Sequence, residues 1–134
     1  MKRRKAREVA LKMIFQMDVG KNSLQMAQNT LFAAKLSPEL SAFVMELVEG
    51  VVARFSDMDS IVSQYISDWS IDRLSNIDKN ILRMAIYELN FLREIPAVVT
   101  INEAIELAKI YGGDESGAFV NAVLDTYRKN REES

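Results

Sequence analysis

The chain has no cysteine and no histidine. Without cysteine there can be no disulfide, thiolate metal site or cysteine nucleophile. Without histidine the commonest general base and the commonest metal ligand are missing, so any acid–base chemistry would fall to carboxylates alone. No glycine-rich phosphate loop precedes a helix, so the usual nucleotide-binding signatures are absent. No cofactor and no metal are expected, and an enzyme is the weakest of the functional readings. A membrane span needs ~20 mainly apolar residues, and no such run occurs. The first residues are basic with no apolar run behind them, which is not the pattern of a signal peptide. The expected location is cytoplasmic, away from any membrane. Prolines number two and glycines five in 134 residues, so there is little punctuation and no linker, repeat or low-complexity segment.

What is present is ordinary globular composition, 49% apolar and 27% charged, at a length that fits one domain spanning 1–134. The net charge of −2 hides an uneven distribution. Lys2, Arg3, Arg4, Lys5, Arg7 and Lys12 stand against Glu8 alone, a local +5 over the first 12 residues that leaves −7 for the rest. A basic arm on an acidic body is a mark of proteins that bind nucleic acid or another anionic surface.

The chain is organised around Asn76 to Leu92, NIDKNILRMAIYELNFL, which is apolar on most of its circumference. Such a helix is normally buried. Asn80, Arg83, Tyr87 and Asn90 follow one another at three, four and three residues, a narrow polar stripe expected to reach the surface. Glu88 falls on a side that otherwise reads as core and needs a partner there, because an unpaired buried charge is very costly.

Six further helices frame this one. Ala6, Val9, Ala10, Met13, Ile14 and Met17 set a first helix from about Arg3 to Asp18, ended by Gly20. Asn22 or Ser23 caps a second, and Ser37-Pro38 reads as N-cap and first turn of a third. Ser56 or Asp57 caps a fourth that Asp68-Trp69-Ser70 ends, and Ile71 to Leu74 forms a short helical turn. Beyond Leu92, REIPAVV is expected to be extended, since proline disfavours helical geometry before it. Thr100 and Glu103 have the spacing of a capping box. Gly112-Gly113 closes that helix, Asp114 or Ser116 opens the last, and the tail RKNREES is expected to be loose. No stretch reads as a strand. The fold class is all-α, with about seven helices.

Three features carry functional weight. The arginines and lysines of the first turns oppose the helix dipole, at ~0.3–1 kcal/mol each when unscreened, and a compensating phosphate would relieve that cost. The Gly112-Gly113 turn is a C-cap that can also present backbone N–H groups and Ser116 to a phosphate. Phe119 reads either as core or as a stacking platform for unpaired bases.

These residues resemble the transcription antitermination factor NusB family in four blocks: RRKAREVALKMIFQMD, WSIDRLSNIDKNILRMAIYEL, IPAVVTINEAIELAKIYG and ESGAFVNAVLD. The last three in tandem are specific to that family. The resemblance implies a NusB-like fold of two packed helical subdomains and a non-catalytic role. It implies pairing with a small-subunit ribosomal protein, NusE, and joint binding of boxA RNA. That assembly would act in the RNA polymerase antitermination complex, notably on ribosomal RNA operons. Carried over by motif, Lys2, Arg3, Arg4, Lys5 and Arg7 would hold RNA, and Ser116 and Phe119 would belong to the same surface. Asp78, Arg83 and Tyr87 would stand near the ribosomal-protein interface. Glu115 departs from the pattern by adding a negative charge beside the RNA surface. The same helical domain also fronts some ribosomal RNA cytosine methyltransferases, but a chain ending at Ser134 has no cofactor domain. A helical adaptor that binds protein without touching RNA remains the alternative, and self-association into a homodimer is left open.

Overall fold

The computed structural model describes residues 2–66 and 71–133, apart from the side chains of Lys2, Glu132 and Glu133. Seven α-helices and one 3-10 turn make up the described secondary structure, divided between two compact units at Arg54/Phe55. No helix among the described residues is long and apolar enough to cross a membrane.

The first unit holds α1 (Lys2–Asp18), α2 (Leu24–Ala34) and α3 (Pro38–Val52). Helix α1 packs against both α2 and α3. Its buried face is Ala6, Val9, Ala10, Leu11, Met13 and Ile14, which adds Leu11 to the expected stripe. Ser23 and Ser37 cap α2 and α3, each accepting a hydrogen bond at 3.2 Å from the backbone N–H three residues on. The turn after α1 works differently from expectation. Lys21, not Gly20, takes the left-handed conformation, at φ 56°. Glycine is needed at position 20 because a Cβ there would lie 2.6 Å from the Gln16 carbonyl oxygen.

The second unit holds α4 (Phe55–Ser63), the 3-10 turn Ile71–Arg73, α5 (Asn76–Phe91), α6 (Ala97–Gly112) and α7 (Asp114–Glu133). Helix α5 is the hub, in contact with α4, α6 and α7. Every residue from Asn80 to Leu89 is buried, so the unit is built round that helix as its composition requires. Burial of a single leucine or isoleucine side chain stabilises by about 1.5–3 kcal/mol, and Ile81, Leu82, Ile86 and Leu89 all lie in this segment.

Several local expectations give way to tertiary packing. Helix α4 starts at Phe55, before either proposed cap, and ends at Ser63, with Tyr65 and Ile66 in the turn beyond. The proposed stop at Asp68-Trp69-Ser70 lies outside the described residues. Ala97–Val99 are helical, because Pro96 sits at the N-cap of α6, where a missing N–H is harmless. The capping box therefore does not form. Thr100 is a turn inside the helix, and its hydroxyl donates to Glu88 Oε1 at 3.2 Å, which supplies the partner that Glu88 needs. Helix α7 continues to Glu133, so most of the charged tail is helical rather than loose.

Candidate nucleic-acid interface

The basic arm is the first turn and a half of α1. Arg3 and Arg4 are half-buried and Lys5 is exposed, while Arg7 is only 2% exposed. The Lys2 side chain lies outside the described residues. The guanidinium of Arg3 lies 4.8 Å from the ring centroid of Phe43 on α3, and that of Arg7 lies 5.4 Å from it. A cation over a ring face is attracted by the ring quadrupole. Phe43 thus holds two cations of one helix, while Lys5 is exposed. Phe43 falls within the apolar period of α3, which by itself gives no sign of this role.

In the second unit a cavity of about 310 Å³ is lined by Arg73, Leu74, Ser75 and Asp78 from one side of the chain and by Gly112, Glu115, Ser116 and Phe119 from the other. Ser75 caps α5 through its hydroxyl, which accepts from the Asp78 N–H at 3.0 Å, and so sets Asp78 at the helix start. Asp78 Oδ1 is buried and accepts no hydrogen bond among the described residues. Leaving such an acceptor unmet costs about 1–3 kcal/mol. A Cβ at Gly112 would overlap Ser116 Oγ and would stand 3.7 Å from Asp78 Oδ1. Glycine at this position is what lets the end of α6, the start of α7 and the start of α5 come together. Phe119 is half-buried at the cavity, neither sealed in the core nor fully open. Asp114 and Glu115 form the first turn of α7, where negative charge is favoured by the helix dipole at about 0.3–1 kcal/mol each. That accounts for acids beside this surface without reference to a ligand.

The structure therefore joins residues that the sequence reading kept apart. Asp78, expected on a protein-partner surface, shares one cavity with Ser116 and Phe119, expected on an RNA surface. Arg73 and Ser75 belong to the lining and were missed; the exposed cation in the WSIDRLS segment was the available signal.

Arg83 and Tyr87 are placed elsewhere. The polar stripe expected to reach the surface is internal: Asn80 and Arg83 are buried, and Tyr87 is 4% exposed. Arg83 donates from Nε and Nη2 to the two carboxylate oxygens of Asp59 on α4, at 2.6 and 2.7 Å. Its Nη1 donates to Asn80 Oδ1 at 2.8 Å, and the Phe55 ring lies 4.2 Å beneath the guanidinium. Asn80 in turn donates to the Asn76 carbonyl. Asn90 donates to the Ile86 carbonyl and to the Tyr127 hydroxyl, both at 2.8 Å. The stripe is a fastening between helices, because partners from α4 and α7 meet it there. Tyr87 stacks on Phe91 at 4.9 Å, and Phe91 is 49% exposed. Among the described residues no group of three or more acids is placed to hold a metal ion.

The NusB family model matches residues 4–129. A transcription antitermination protein NusB of Syntrophomonas wolfei is 42% identical over 126 residues, covering 93% of this chain and 94% of its own length. That of Oceanobacillus iheyensis is 43% identical over 124 residues, covering 92% and 96%. Among solved structures, T. maritima NusB superposes with a TM-score of 0.88 at 37% identity over 95% of this chain and 90% of that one. A crystal structure of antitermination factors NusB and NusE in complex with dsRNA gives 0.87 at 25% identity, covering 96% and 97%. With helix order, core pattern and matched length in agreement, the chain belongs to the NusB family of transcription antitermination proteins.

Proposed function

We propose that this protein acts in transcription antitermination by binding boxA-type RNA together with the small-subunit ribosomal protein NusE, within the RNA polymerase antitermination complex. The observation that carries the reading is the buried, unmet Asp78 Oδ1 in a cavity that also holds Ser116 and a half-buried Phe119. An acceptor with no donor among the described residues is open to a donor from outside, and Phe119 offers ring surface beside it. Ser116 and Phe119 contact RNA; Asp78 receives an N–H of the protein partner. Arg3, Arg4 and Lys5, with Lys2, supply phosphate contacts, and Arg7 holds Phe43 and the helix in place beneath them. Tyr87 acts on the partner surface through Phe91, and Arg83 holds α5 in position behind it. The activity is binding rather than catalysis.

Each neutralised phosphate of single-stranded RNA contributes a slope of about −0.7 in log K against log salt. Replacing Arg3, Arg4 and Lys5 by alanine is therefore expected to flatten that slope by roughly 2 if all three contact phosphate. Titration of boxA-type RNA with and without NusE at several salt concentrations checks this. Tighter RNA binding with NusE present, lost in Asp78→Ala, is the expected result. An unchanged salt slope removes the arm from the site, and NusE binding with no RNA signal at any salt favours the protein-only adaptor.

A further inference from the structure

A second cavity of the same unit, about 350 Å³, lies between the end of α5, the turn at 92–96 and the C-terminal half of α7. Buried Leu89, Ile95 and Tyr127 give it an apolar floor. Arg93, Arg128 and Arg131 also line it, Arg93 exposed and the other two half-buried. Among the described residues no carboxylate lines the cavity. Asp125, one turn back on α7, is paired with Lys129 at 3.1 Å. On a chain whose body is acidic, three guanidinium groups round one hollow are a local concentration of positive charge.

Helix capping explains one of the three. Arg131 Nη1 donates to the Leu89 carbonyl at 2.9 Å, near the end of α5, and its guanidinium lies 5.6 Å from the Tyr127 centroid. Cations at a helix C-terminus are favourable in themselves. Arg93 and Arg128 line the same space from the α5–α6 turn and from α7. Arg131, held by a carbonyl and a ring, is fixed in advance, which lowers the ordering cost of binding. Arginine forks match the oxygens of a phosphate in paired N–H···O bonds. Three of them exceed what a single carboxylate requires, and the apolar floor suits the uncharged part of an organic phosphate. The volume falls at the small end of ligand cavities.

We propose that this cavity binds the phosphate of a nucleotide, free or within an RNA strand. The site shares no residue with the arm on α1 or with the Asp78–Phe119 cavity, and it stands whether or not those bind RNA. The test is an NMR titration of the full chain with inorganic phosphate, adenosine monophosphate and a short uridine oligonucleotide. Amide shifts are expected in 92–95, at Ala97 and in 127–131 with the nucleotide, at affinity at least about threefold above inorganic phosphate. Arg93→Ala with Arg128→Ala is expected to weaken binding by about tenfold or more while leaving amides outside the cavity unmoved, which reports the fold. Arg93→Lys, which keeps charge and loses the fork, falls between. Saturation of the same amides by the oligonucleotide assigns the phosphate to RNA; nucleotide binding without it assigns a free nucleotide. The variant Arg3→Ala/Arg4→Ala is expected to bind the nucleotide as the native chain does, so loss of RNA binding at the arm is read separately. No amide movement with nucleotide, or undiminished affinity in the Arg93/Arg128 double variant, overturns the proposal.

Discussion

Replacing Asp59 by alanine isolates the fastening between α4 and α5. Arg83 has a side-chain exposure of 5% and donates two short bonds to the carboxylate of Asp59, whose side chain is 26% exposed. Removing one partner of a fully buried ion pair costs about 3–5 kcal/mol, mostly because the other charge is left without compensation. Here water can enter from the Asp59 side, and Asn80 and the Phe55 ring still face the guanidinium, so a loss of about 2–3 kcal/mol is expected. With an unfolding entropy of about 2.1 cal/mol/K per residue, a single cooperative transition of 134 residues would melt roughly 7–11 °C lower. Calorimetry or a circular-dichroism melt measures the shift, and urea unfolding gives the free energy directly. The paired variant Asp59→Leu/Arg83→Met is expected to recover most of the loss, because apolar groups of similar volume often replace a buried ion pair at little cost. A shift below ~2 °C for Asp59→Ala would refute the reasoning: burial of Arg83 would then rest on Asn80 and Phe55. Normal melting with lost NusE binding would instead make this network part of the partner surface.

Thr100→Val keeps shape and removes the hydroxyl that donates to Glu88 at 3.2 Å; an equilibrium loss of about 1–3 kcal/mol in urea is expected, with Thr100→Ser close to native. Gly112→Ala forces a methyl into the space of Ser116 Oγ, and a loss of about 1–3 kcal/mol is expected. Adding Ser116→Ala should return part of it, and strict additivity in that double-mutant cycle would show that the two do not touch. Ser37→Ala removes the acceptor of the Leu40 N–H and is expected to lower stability by about 1 kcal/mol, read as a shift in the denaturation midpoint without a change in slope.

Legibility in the sequence followed the range of the interaction. Ser37-Pro38 announces α3 because cap and first turn lie within four residues of one another. The demand of Glu88 for a partner was equally readable, since it follows from one charge on an apolar face; the partner's identity was not. Thr100 is twelve residues away in sequence, and its spacing to Glu103 matched a cap as well as it matched a buried donor. The stripe through Asn80 and Arg83 failed for a related reason. Periodicity shows that polar residues share a side of a helix, but not whether that side meets water or an aspartate 24 residues upstream. Arg7 looks like its neighbours in sequence and differs from them only because the side of α1 that it shares with Arg3 meets Phe43.

The amino-acid sequence by itself determined the all-α class, the burial of α5, the charge asymmetry and the family, because each rests on composition, on a 3.6-residue period or on local motifs. Tertiary structure alone decided which cations remain at the surface, that Asp78 meets Ser116 and Phe119 in one cavity, and that three arginines from the α5–α6 turn and α7 surround another. Those are contacts between residues far apart in the chain. They are set by how helices pack, which no local pattern encodes.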